Sequence, residues 1–118
     1  MKRQSRYPRT ARVGELLREI IAEELRELDD ERLEQVAVTS VKVDAGLEHA
    51  VVYFDSLLGE STDAEVLEAL AERRTKLQGA IGRQARLRRT PELHFEPDDV
   101  VRGAQRLEGI LRDLGSDE

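Results

Sequence analysis

The sequence contains no cysteine and no tryptophan, and only two tyrosines and two phenylalanines among 118 residues. The missing thiols exclude disulfides and thiolate metal sites, which suits a cytoplasmic protein. With so few aromatics the core must be aliphatic, and the stacking platforms that hold single-stranded bases are scarcely available. No apolar run approaches the roughly 20 residues that cross a bilayer, and the N-terminus is basic and polar where a signal peptide would be apolar. A soluble chain with no membrane partner is expected. No serine lies in a nucleophile elbow and no glycine-rich loop follows a strand as a P-loop would. The carboxylates read as solvent-facing, without the apolar surroundings that raise a pKa, so neither an enzyme nor a cofactor is expected. His49 and His94 are the only histidines. Each sits in a strand pattern with no partner at metal-ligand spacing, so both read as surface or edge residues and no metal site is expected.

What remains is aliphatic and ionic: hydrophobic residues make up 39% and charged residues 37%. The length suits one domain, residues 1–118, able to bury a modest core unaided. After a basic N-terminal arm, residues 1–8, the residues Val13, Leu16, Leu17, Ile20, Ile21, Leu25 and Leu28 recur at three- and four-residue spacing and predict an amphipathic helix. Val36, Val38, Val41 and Val43 predict a strand whose parity changes between Val38 and Val41, so a bulge or bend is expected at Thr39-Ser40. Asp44 to Glu48 reads as a hairpin loop, and Ala50 to Leu58 as the second strand. Thr62-x-x-Glu65 is a capping-box pattern opening a helix towards Gly82. Pro91 sets an extended entry to a third strand through Leu93 and Phe95, and Asp98 or Asp99 caps a last helix over residues 98–115. The order predicts an α+β sandwich, a three-stranded sheet with helices on one face plus a C-terminal helix.

The formal net charge is -6, yet the signs are segregated. Lys2, Arg3, Arg6, Arg9 and Arg12 precede any acid, and Arg73, Arg74, Lys76, Arg83, Arg86, Arg88 and Arg89 form a block with no acid inside it. Glu23 to Glu34 and Glu65, Glu68 and Glu72 are the acidic counterparts. A partner feels the local field, screened over roughly 10 Å, rather than the total. If the fold brings the two basic segments together, they suit contact with a phosphate backbone, with little base reading. A solvated helix end, whose dipole favours cations, is the bland alternative. Candidate RNA contacts are therefore Arg3, Arg6, Arg9, Arg12, Arg73, Arg74, Lys76, Arg83, Arg86, Arg88 and Arg89. Gly79-Ala80-Ile81-Gly82 has the spacing of the loop with which KH domains approach a nucleic-acid backbone, but glycines at a helix end are equally ordinary.

Arg9-x-x-Arg12-Val13, Asp30-Glu31-Arg32-Leu33, Ala50-Val51-Val52-Tyr53-Phe54 and above all Ile81-Gly82-x-x-x-Arg86-Leu87-Arg88-x-x-Pro91-Glu92-Leu93-x-Phe95 resemble the ribosome-binding factor A (RbfA) family, over about residues 7 to 114. The resemblance implies a KH-like fold of type II, α-β-β-α-β. It implies a monomeric cytoplasmic assembly factor that binds the small (30S) ribosomal subunit and precursor 16S rRNA, assists late 16S maturation including 5′-end processing, and is linked to cold adaptation. The family marks a kink between helices with Ala-x-Gly; here Arg73-Arg74-Thr75 stand at those positions, so the helix runs straight or the kink moves to Gly79. Glu31, Glu34 and Asp44-Ala45-Gly46 also depart from the family's loop pattern. An acidic-face protein-interaction module, or a generic KH domain reading single-stranded RNA through Gly79 to Gly82, are the alternatives.

Overall fold

The structure, a computed structural model, describes residues 8–116. The N-terminal arm, with Arg3 and Arg6, lies outside the described residues. The first helix, α1 (Arg9–Glu27), is followed by a 3-10 turn (Glu31–Leu33), strands β1 (Val36–Val43) and β2 (His49–Ser56), a second 3-10 turn (Glu60–Thr62), helix α2 (Asp63–Gln84), strand β3 (Glu92–Pro97) and helix α3 (Asp99–Ser116). The expected α-β-β-α-β order with a C-terminal helix is borne out.

The sheet order is β1-β2-β3, antiparallel between β1 and β2 and parallel between β2 and β3. A parallel neighbour needs a crossover connection, which α2 supplies. Along β2 the buried residues are Ala50, Val52, Phe54 and Ser56, while the alternate positions stay at least partly open, so one face of the sheet is sealed. The α1 stripe of Val13, Leu17, Ile20, Ile21 and Leu25, the α2 residues Val66, Leu70, Leu77 and Ile81, and Leu93 of β3 complete that aliphatic core. The β1–β2 register shifts between Val38 and Ser40, which is the bulge implied by the valine parity.

Gly14 explains how α1 lies so close to the sheet. It is buried, and a Cβ there would stand 2.3 Å from the Val41 carbonyl oxygen. Only a residue without a side chain lets the helix backbone meet β1 at that point.

Four local expectations need correction. The second strand, expected over Ala50 to Leu58, runs from His49 to Ser56, and Leu57 and Leu58 are exposed beyond it. Thr62 precedes α2 but forms no side-chain cap; its hydroxyl turns back to the Gly59 carbonyl (2.8 Å) and Ser56 Oγ (3.0 Å). The intervening 3-10 turn positions Thr62 for those bonds and takes the hydroxyl from the capping box. Helix α2 is continuous through both Arg73-Arg74-Thr75 and Gly79 to Gly82, so neither position breaks it and the Gly-x-x-G is not a loop. The last strand runs to Pro97, two residues beyond Phe95.

Helix α3 does not join the apolar core. Its foot is fastened by polar groups: Asp98 caps the helix, accepting from the Val101 amide (3.0 Å), and accepts from the Thr39 hydroxyl in the bulge (2.5 Å). Arg102 donates to Asp55 (2.9 Å) and Asp63 (2.5 and 2.9 Å), and Arg106 pairs with Glu60.

Candidate nucleic-acid interface

The cations of the central block divide into those the fold consumes and those it leaves at the surface. Asp30, buried just past α1, accepts from Arg32 at 2.8 and 3.0 Å and from Arg73 at 3.3 Å, while Arg32 also reaches Glu72 at 2.7 Å. Hydrogen bonds from the Arg32 guanidinium outweigh burial and hold the Asp30 carboxyl well below the usual carboxylate range. This network ties the first 3-10 turn to α2. Arg73 is therefore a structural partner. Arg74 is half-buried with its guanidinium 5.8 Å from the centre of the Phe95 ring, a cation–π arrangement that holds it to the β3 side of the helix.

Lys76, Arg83, Arg86 and Arg88 are exposed and meet no carboxylate among the described residues. Lys76, Gly79 and Arg83 follow one another at helical spacing, and a Cβ on Gly79 would stand 3.3 Å from Arg83 Nη1. The glycine thus leaves room for the guanidinium to lie along the helix, which gives it a role other than a loop. Arg89 pairs with Glu48 at 2.8 Å, both more than half exposed; such a pair contributes about 0–1 kcal/mol and exchanges readily for a phosphate.

The two basic segments meet at one place. Arg9 at the start of α1 and Arg88 and Arg89 before β3 line a depression of about 340 Å³ with Ala45, Gly46 and Leu47 of the β1–β2 loop. The loop is stiff: the Asp44 carboxylate accepts from the backbone amides of Glu48 (2.7 Å) and His49 (3.2 Å), which draws its pKa down, and Leu47 takes a positive φ of 57° with its side chain buried. Arg12 is exposed in α1 and already has a partner within the fold. Sequence reasoning missed this loop as part of the site, because the three residues that line the depression, Ala45, Gly46 and Leu47, carry no charge and only the fold brings them beside Arg9.

The acidic network around Asp30 lies beyond the opposite end of α1. Nineteen residues of helix span about 28 Å, several times the roughly 8–10 Å screening length, so the end holding Arg9 presents its own field. The segregation is incomplete at the end of α2, where Gln84 approaches Glu24 at 3.5 Å.

Two carboxylates, Asp30 and Asp98, are buried, contrary to the expectation of purely solvent-facing acids. For Asp98, burial alone raises the pKa, but hydrogen bonds from Thr39 and the Val101 and Val100 amides overcome it and the net shift is downward. Both acids are thus held as structural anions, poorly suited to donate a proton.

A family model described as ribosome-binding factor A matches residues 9–111. The ribosome-binding factor A of Rubrobacter xylanophilus is 39% identical over 111 residues, covering 93% of this chain and 90% of its own. The crystal structure of ribosome-binding factor A from Thermus thermophilus is similar with a TM-score of 0.67 at 31% identity, over 75% of this chain and 93% of that one. A Thermus thermophilus RbfA homology model fitted into the cryo-EM map of a 30S–RbfA complex is similar with a TM-score of 0.59 at 31% identity, over 70% and 88% of the two chains.

Proposed function

The chain belongs to the ribosome-binding factor A family, a family of ribosome-binding factors and not of enzymes, and from that premise we propose that it binds the 30S subunit through 16S rRNA phosphates. The observation that carries this reading is the meeting of Arg9, Arg88 and Arg89 around one depression, with exposed Arg83 and Arg86 nearby in the chain. Exposed guanidinium groups suit bidentate contacts to phosphate, and they position the partner without reading its sequence. The 30S–RbfA complex of the Thermus relative supports the choice of partner. Late 16S maturation with 5′-end processing, a role in cold adaptation, a cytoplasmic location and a monomeric state complete the reading.

Within the candidate set, Arg9, Lys76, Arg83, Arg86, Arg88 and Arg89 are the contacts we favour. Arg73 and Arg74 act through the fold. The alternative of a KH loop at Gly79 to Gly82 is disfavoured by the continuous α2. On the alternative acidic face, Glu23 to Glu34, Asp30 is taken by Arg32 and Arg73 and Glu23 by Arg26, which leaves less of its charge for a basic partner.

Co-sedimentation with immature 30S particles across a salt series tests the reading. Every arginine–phosphate pair that mutation removes makes the slope of log K against log salt shallower by about 0.7 to 0.9. Arg86→Glu with Arg88→Glu should weaken association at least tenfold and flatten that slope. Salt-insensitive association, or association unchanged in the double variant, would overturn it.

A further inference from the structure

Strand pairing brings the two histidines of the chain together with a carboxylate. His49 of β2 and Glu92 of β3 are register partners, and His94 lies two residues beyond Glu92. Side chains alternate along a strand, so with Ala50 and Leu93 turned into the core, His49, Glu92 and His94 share the opposite face. All three are exposed or nearly so, and the ligand atoms are reachable from solvent.

His49 Nδ1 lies 3.1 Å from His94 Nε2, and Glu92 Oε1 lies 3.5 Å from the first and 3.7 Å from the second. A triangle with these sides has a circumscribed radius of about 2.0 Å, and zinc binds imidazole nitrogen and carboxylate oxygen at about 2.0–2.2 Å. One ion placed slightly above the plane of the three atoms therefore reaches all of them without strand movement. An ordinary imidazole–imidazole hydrogen bond accounts for the 3.1 Å contact, and the ring centroids lie 5.3 Å apart with their planes tilted by 38°. It does not account for the carboxylate. Glu92 stands close to both nitrogens yet makes a hydrogen bond to neither, which leaves its carboxylate oxygen available to an ion shared with the two rings.

We propose that His49, Glu92 and His94 form a surface site for one divalent transition-metal ion of the zinc class. His49 would bind through Nδ1 and His94 through Nε2, each ring keeping its proton on the other nitrogen. Two imidazoles and one carboxylate leave a fourth tetrahedral position open to water. The ion bridges β2 and β3 at the end of the sheet where the basic segment enters, next to the Arg89–Glu48 pair. The site stands apart from the RNA-binding reading and does not depend on it.

The chain has no cysteine and no third histidine, so imidazole-dependent metal binding has no other source. The test uses the untagged full chain, titrated with zinc by calorimetry and with cobalt(II) by visible absorption. One ion per chain is expected, with the intense ligand-field bands of tetrahedral cobalt. Zinc should also raise the melting temperature, because it binds the folded pair and not the separated histidines. His94→Gln and Glu92→Gln should each weaken zinc by more than the roughly 10- to 100-fold that loss of an outer-shell partner costs, and should abolish the thermal shift. These positions are exposed, so folding of each variant can be checked by circular dichroism, and either one alone decides. Non-saturating binding in the native chain, or zinc affinity unchanged in either folded variant, would falsify the site.

Discussion

Leu17, Ile21, Phe54, Leu70, Leu77 and Ile81 are sealed between two helices and a sheet, whereas Leu107, Ile110, Leu111 and Leu114 of α3 are each more than half exposed. Both regions have the apolar periodicity of an amphipathic helix. In the body that periodicity meets a complementary sheet face, and burial of aliphatic surface supplies the stability. In α3 it meets nothing among the described residues, and the helix is joined to the body by ion pairs at its foot. The contrast teaches that periodicity specifies a helix but not its partner.

The strongest way to break the body is to hollow it. Leu17→Ala removes a fully buried side chain facing the sheet and should cost about 3–5 kcal/mol, read as a lowered denaturation midpoint with α3 following the global transition. Arg102→Ala should act on α3 alone. It strands the part-buried Asp55 and Asp63 without their donor, a loss of roughly 1–3 kcal/mol. Amide exchange in the first turns of α3 should accelerate about ten- to hundredfold while the body's slowest amides keep their rates. Leu111→Ser should change the melting point by less than the equivalent of about 0.5 kcal/mol, since the side chain is already in water. A larger loss would show that α3 is packed on something, and the comparison would fail.

The sequence disclosed local periodicity well. The Val38-to-Val41 parity change located the bulge because a strand turns its side chains by a fixed half-period. The α1 stripe and the β2 alternation were legible for the same reason, while the last helix's cap was narrowed to Asp98 or Asp99 and only the fold selects Asp98. What stayed hidden depends on residues distant in the chain. Arg73 looks like its neighbours in the basic block until Asp30, 43 residues earlier, folds against it. The two histidines are 45 positions apart and become neighbours only when the β2–β3 register is fixed. Gly14 carried a faint signal, since glycine inside an amphipathic helix costs about 1 kcal/mol and implies a compensating close approach. The capping box at Thr62 shows the opposite case, a strong local pattern overridden by the turn that delivers it.

The near-complete burial of Arg102 sets it apart from its exposed counterparts in one practical respect. Electrolyte shields a guanidinium only as far as mobile ions can approach it, and they approach Arg102 far less than Arg86 or Arg88. Raising ionic strength should therefore strip the chain from a polyanion while leaving its last helix seated, so that one reagent separates arginine used as a rivet from arginine used as a grip.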